Sequence, residues 1–144
     1  LISLESRIDD KRLEVNVDFR PDRLITLGDK YQIQRVVLNL LDNAIKFCYE
    51  GTEIQIHTWI ERGKAHVSVS DTGDIISETD MKNLFDRFFK TDKSRNKDRS
   101  GAGLGLSLVH NIIRLHNQTI NVSCTPLEDG KSGVTKFEFT LEVQ

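Results

Sequence analysis

The chain has 144 residues, 38% of them hydrophobic and 29% charged, with a net charge of −2. That length suits one domain with a core of its own, and the balance excludes a disordered chain. There is no global basic field to draw in nucleic acid or anionic lipid, no apolar run near the roughly 20 residues that span a bilayer, and no signal peptide. Cys48 and Cys124 are far apart and lack metal-ligand spacing, which reads as two free thiols in a reducing compartment, with a single disulfide as the alternative. The sequence opens on Leu1 rather than Met and reads as a piece of a longer protein.

Residues 1–11 carry Leu1, Leu4 and Ile8 at helical spacing. Residues 13–19 alternate strictly and predict a half-buried strand; 24–27 predict a second, short one closed by Gly28. Asp29 followed by Gln32 is a capping-box-like start. The helix it opens is expected to run to about Tyr49, with Ile33, Val36, Val37, Leu40, Leu41 and Ala44 forming one apolar stripe. Residues 53–60 and 66–70 alternate as two strands around an Arg62-Gly63-Lys64 turn, and Asp71-Thr72-Gly73 closes the second of them. Ser77 is the expected N-cap of a helix reaching about Phe85. Residues 91–101 are polar and aperiodic, a loop long enough to be functional or mobile. A helix over 103–116 and strands over 120–124 and 134–143 complete the chain. Mixed helices and hairpin-like strand pairs predict an α+β two-layer sandwich, a mixed and mostly antiparallel sheet packed on helices.

Three elements carry chemistry. Asn39 and Asn43 are four residues apart on the long helix, with Lys46 three later, on one stripe at the edge of the apolar face. Asparagine is a poor helix former, because its amide competes for backbone hydrogen bonds. Its oxygen is a hard ligand of the kind Mg²⁺ takes, and Lys46 adds a point charge for phosphate. Ordinary polar residues at a helix boundary are the bland alternative. Asp71 is a carboxylate that can accept the amino hydrogens of an adenine, and Gly73 lets a base approach the backbone; Asp-Thr-Gly as a plain turn is the alternative. Gly101-Ala102-Gly103-Leu104-Gly105-Leu106 stands directly before a helix, whose N-terminal N–H groups and dipole favour phosphate. It is neither a Walker A loop nor a dinucleotide-binding turn.

Taken in order, these stretches resemble the boxes of sensor histidine kinases. Residues 34–47, QRVVLNLLDNAIKF, resemble the N box; Asp71-Thr72-Gly73 resembles the first glycine box; Leu84-Phe85-Asp86-Arg87-Phe88-Phe89-Lys90 resembles the F box; and Gly101 to Leu106 resembles the second glycine box. The resemblance covers nearly the whole chain. It implies the GHKL (Bergerat) ATP-binding fold as a single catalytic domain over 1–144, with ATP and Mg²⁺ as cofactors. It also implies that Asn43 coordinates Mg²⁺ with Asn39 beside it, that Lys46 contacts phosphate, and that Phe47, Gly73 and Ile76 lie in the nucleotide site with Asp71 on the adenine amino group. Lys90 stands where the family usually has an Arg reaching the γ-phosphate, so the fork geometry would be lost. Residues from about 87 to 103 would form an ATP lid, and Gly101, Gly103, Leu104, Gly105 and Leu106 would line the triphosphate. Phe85, Phe88 and Phe89 read equally well as anchors of the lid to the core.

Gyrase and MutL resemble the same group but carry a Glu one turn before the Mg²⁺ Asn as general base. Asn39 cannot take a proton, which favours phosphoryl transfer to a protein nucleophile over hydrolysis. None of His57, His66, His110 and His116 is followed by Asp or Glu, so the resemblance implies a phosphoacceptor histidine on a separate dimerisation domain upstream. For His116, near a helix C-terminus, a partial positive charge is expected. The resemblance further implies a response regulator receiver domain as partner, no nucleic acid, and a monomeric fragment that forms the cytoplasmic domain of a membrane-bound sensor kinase. Two departures stand out. Ile75 replaces the second Gly of the first glycine box, where a β-branched residue resists positive φ, and Asp74 adds negative charge beside the site. His116-Asn117-Gln118 replaces the usual His-Gly-Gly, which Asn117 tolerates as a left-handed cap. Ile75 and Lys90 leave open an alternative, a degenerate module of weakened nucleotide affinity that docks or regulates.

Overall fold

The computed structural model describes residues 4–86 and 105–144. The expected lid, with Lys90, Gly101, Gly103, Leu104, Phe88 and Phe89, lies outside the described residues.

The elements follow the order α1 (Leu4–Asp10), β1 (Glu14–Phe19), β2 (Thr26–Leu27), α2 (Lys30–Phe47), β3 (Glu53–Glu61), β4 (Lys64–Asp74), α3 (Glu78–Asn83), α4 (Gly105–Leu115), β5 (Ile120–Pro126) and β6 (Ser132–Val143). The strands form one six-stranded mixed sheet, ordered β1-β3-β4-β6-β2, with β5 also on β6. β1 pairs β3 in parallel; every other pair is antiparallel. The expected sandwich is what forms.

Asp29 caps α2 by accepting the Gln32 amide at 3.0 Å. The buried stripe of α2 is Val36, Leu40, Ala44 and Ile45, and that of α4 is Val109, Ile112 and Ile113. Both pack on Ile54, Val69, Phe137, Phe139 and Leu141 of the sheet, one contiguous core. The β3–β4 hairpin turns at Arg62 and Gly63, both at positive φ (53° and 76°), the pattern of a two-residue type I′ turn.

Four sequence expectations are corrected. β1 is an exposed edge rather than half-buried: Val17 and Phe19 are 56% and 51% exposed, because the helices cover the middle of the sheet and stop short of its β1 edge. α2 ends at Phe47 rather than Tyr49, where Cys48 turns extended (ψ 155°) and bridges to Gly73. α3 ends at Asn83 rather than Phe85. Most consequentially for the site, β4 does not close at Asp71 but runs through Asp71-Thr72-Gly73 to Asp74, paired with Thr135, Val134, Gly133 and Ser132 of β6. The Asp-Thr-Gly triplet is strand, not turn.

Candidate functional site

The C-terminal half of α2 lies against the end of β4. Tyr49 donates its amide to the Thr72 carbonyl at 2.9 Å, and Cys48 bridges Gly73. A Cβ at Gly73 would stand 2.4 Å from the Phe47 carbonyl oxygen, a separation that real side chains do not show. Gly73 is therefore required for the helix end to approach the strand, a reason distinct from the approach of a base. The same construction puts Asp71 Oδ2 3.6 Å away, so Asp71, Gly73 and Phe47 share one small volume. Ile76 is half-buried on the core beside it.

Asp71 is 6% exposed. Burial pushes its carboxyl up to about 7, and the Lys11 ammonium pulls the other way. Thr135, buried directly opposite Asp71 on β6, shares its face of the sheet and donates its hydroxyl to Cys124 Sγ at 3.6 Å. Sequence reading missed Thr135. Its only signal is the strand register, which is invisible before β4 and β6 are paired. It missed Lys11 as well, whose ammonium donates to the carbonyls of Ile45 (2.6 Å), Lys46 (3.1 Å) and Cys48 (3.0 Å) and so closes the end of α2.

One turn before the middle of this helix end, Asn39 donates its amide nitrogen to the Arg35 carbonyl at 2.9 Å. That bond leaves the amide oxygen facing α4: Asn39 Oδ1 lies 3.4 Å from where a Cβ at Gly105 would stand. The first residue of α4 and the Asn of α2 are thus brought together, with Leu106 half-buried behind them. Asn43 is half-buried one turn further along. Lys46 pairs with Asp42 at 3.3 Å, and Asp42 also holds Arg7 at 2.6 Å. The donor set suits Mg²⁺, since amide oxygen is a hard ligand and this ion completes its octahedron with water and phosphate rather than an all-protein cage.

The departures resolve locally. Ile75 is not among the residues at positive φ; it continues the β4 path, its amide donating to the Lys131 carbonyl at 3.3 Å. Asp74 accepts the Tyr49 hydroxyl, a bond that pushes that phenol up to about 12. Asn117 takes a left-handed conformation (φ 58°) as expected. His116 bridges two helices. Its Nε2 accepts the Asp29 amide at 3.0 Å while Nδ1 faces the Ile112 carbonyl at 2.8 Å, which staples the end of α4 to the start of α2. His66 stacks on Trp59 and meets Glu138 at 3.1 Å, a cross-strand role. Phe85 packs on Phe137 and His110, as a core anchor would. Cys48 and Cys124 are both free. A groove of about 720 Å³, lined by Thr26, Gly28, Ile33, Val37 and Leu38, sits at the other end of α2 and is lined by none of the candidate nucleotide-site residues.

Comparison with known proteins agrees with this geometry. Residues 28–144 match the sequence model of the family described as "Histidine kinase-, DNA gyrase B-, and HSP90-like ATPase". The sensor-like histidine kinase SenX3 of Mycolicibacterium smegmatis is 31% identical over 118 residues, 82% of this chain and 30% of that protein. The catalytic domain of the histidine kinase ThkA, in a nucleotide-free form, superposes with a TM-score of 0.77 at 28% identity, over 95% of this chain and 86% of that one. The mycobacterial sensor histidine kinase MprB gives a TM-score of 0.75 at 25% identity, over 98% and 95%. The chain spans less than a third of the length of the curated relatives it matches.

Proposed function

The chain belongs to the family of histidine kinase-, DNA gyrase B- and HSP90-like ATPases, and from that premise we propose that it binds Mg²⁺–ATP and donates the γ-phosphoryl group to a histidine on a separate dimerisation domain of a two-component sensor kinase. The observation that carries this reading is the facing of the Asn39 amide oxygen and Gly105, at one end of a site whose other end is the buried Asp71. In this reading Asp71 accepts the adenine amino group, with Thr135 on the neighbouring strand, while Phe47, Gly73 and Ile76 wall the base. Asn43 and Asn39 hold Mg²⁺, and Lys46 meets phosphate. Mg²⁺ supplies charge neutralisation on the phosphates. Lys90, Gly101, Gly103 and Leu104 complete the phosphate end.

Asn39 has no basic oxygen to deprotonate water, and its nitrogen is committed to Arg35, so the site orients a nucleotide rather than activating water. The alternative of a degenerate docking module rests on Ile75 and Lys90; the backbone accommodates Ile75 without positive φ, and Lys90 lies outside the described residues. The wider assignments belong to the same proposal: a catalytic domain over 1–144, a response regulator downstream, and a place on the cytoplasmic side of a membrane-bound sensor. No helix among the described residues is long and apolar enough to cross a membrane.

Calorimetric titration with a non-hydrolysable ATP analogue in Mg²⁺ tests the binding, with Asn43→Asp as control. Binding by the parent and its loss in the variant are expected. For the chemistry, the chain is mixed with labelled ATP and a phosphoacceptor domain from a related sensor kinase. Acid-labile, base-stable label on that domain supports transfer; release of free phosphate with no label on protein overturns it.

A further inference from the structure

We propose that the open edge of β1 is a self-association surface, on which a second copy of this chain adds its own β1 in antiparallel register about Val17. This pairing needs no nucleotide, and a chain that pairs in this way is not the monomer expected from its sequence. β1 ends the sheet and pairs β3 on its inner side. There Glu14 and Arg20 turn their amides inward, to the Thr52 and Thr58 carbonyls at 3.1 and 3.0 Å. Strand alternation then points the amides and carbonyls of Val15, Val17 and Phe19 outward. Among the described residues no element pairs that outer side. The side chains of the same residues stand on the face that Ile54 and Ile56 share with the core, and all of them are exposed. A bare row of donors and acceptors beside a bare apolar strip is what a further strand needs.

Charge along the edge selects a second copy as the occupant, and selects one register. A two-fold partner must present the same patch. With Val17 opposite its own copy, Val15 meets the copy's Phe19, and these outward residues form the hydrogen-bonded pairs. Glu14 then falls opposite Arg20, and Asn16 opposite Asp18, at the intervening positions where side chains come closest. Arg20 holds Asp18 of its own chain through Nε at 2.9 Å, which leaves its terminal nitrogens to meet the copy's Glu14. Asn16 gives one amide hydrogen to Glu53 and has a second for the copy's Asp18. The neighbouring registers fail. Centred on Asn16, Glu14 opposes Asp18; centred on Asp18, that carboxylate opposes itself. Centred on Phe19, Val17 opposes Pro21, which has no amide to give. Centred on Val15, the strands overlap only from Glu14 to Asn16.

The test is sedimentation equilibrium of the chain from about 10 µM to about 1 mM, the range suited to a small interface. The set is the parent, Val17→Lys, Glu14→Arg, Arg20→Glu and the Glu14→Arg/Arg20→Glu double variant, with folding checked by thermal unfolding. The parent is expected to form a dimer and nothing larger, since two-fold pairing uses up the edge. Val17→Lys sets two ammonium groups against each other and abolishes the dimer. Either charge reversal alone makes both rim pairs like-charged and weakens association about tenfold or more. The double variant returns association to within about threefold of the parent, and so does an equimolar mixture of the two single variants, in which every rim pair is again of opposite sign. Hydrogen exchange at the amides of Val15, Val17 and Phe19 slows as concentration rises, while the amides already bonded to β3 keep their rates. A parent that stays monomeric throughout the range overturns the inference. So does a dimer that Val17→Lys leaves intact, which uses another face, or one that the reversals weaken without mutual rescue, which lacks this register. Should a reversal fail to fold, Val17→Lys and the exchange of those outward amides carry the decision.

Discussion

Asp71 is the residue whose chemistry reaches furthest. Its carboxyl is buried, and burial disfavours the charge, so it titrates near 7 instead of 3.8. The folded chain therefore keeps this proton to higher pH than the unfolded chain does. Unfolding releases it, and stability from this group falls as pH rises from about 4 to about 7, then levels. Nucleotide binding has the opposite sign, because an adenine amino group donates to the ionised carboxylate: affinity rises as pH climbs through 7. Asp71→Asn is expected to flatten both slopes. It should also cost ATP affinity by about 1.5–3 kcal/mol at pH 8, the range for a hydrogen bond to a charged acceptor, while leaving the protein no less stable there. Titrations at pH 6, 7 and 8 beside thermal unfolding in the same buffers read both effects. A variant that keeps the parent's pH dependence of binding would remove Asp71 from the adenine site.

At the scale of elements, the end of α2 is where local sequence and tertiary structure part company. The stripe, the Asp29 cap and the helix start are written in 3.6-residue periodicity and a short capping pattern, and they form as read. The end is not: nothing in Ile45-Lys46-Phe47-Cys48-Tyr49 stops a helix. It stops because Gly73 admits the Phe47 carbonyl and Lys11 takes the free carbonyls, and both partners arrive from other elements. The same physics hid Thr135, which joins the site through strand register, and the extension of β4, since a Gly in sequence marks a turn more readily than a close approach. By contrast Asn39, Asn43, Lys46 and Asp71 stand out in the sequence as candidates, because each is a polar residue beside an apolar stripe or at a strand end. Lys11→Met is the test of the missed cap. Removing three charge-assisted contacts to the helix end is expected to destabilise the fold by about 1–3 kcal/mol in urea unfolding. Adenosine and ATP should weaken together if, as proposed, the Phe47–Gly73 junction walls the base. An unchanged midpoint would mean that water caps the carbonyls equally well.

At the scale of the whole molecule, the site is built from pieces far apart in sequence: α1, the end of α2, the end of β4, β6 and the start of α4. No one element holds it, so the nucleotide must bind the folded chain and not the unfolded one. Binding then adds RT ln(1 + [L]/Kd) to stability, about 2.7 kcal/mol at a hundredfold excess over Kd. For a chain of this length that is a rise of roughly 10 °C in Tm. The metal enters the same linkage. If Asn43 and Asn39 hold Mg²⁺ against the phosphates, ATP with EDTA gives a clearly smaller rise than ATP with Mg²⁺, and adenosine gives one indifferent to the metal. Asn43→Asp places a carboxylate beside the triphosphate in the absence of metal, and should abolish the ATP-dependent rise in EDTA first. Differential scanning calorimetry over these conditions separates the two ends of the site in one series. Equal shifts for ATP with and without Mg²⁺ would confine the role of α2 to holding the base and the phosphate charge, with no metal site on its asparagines.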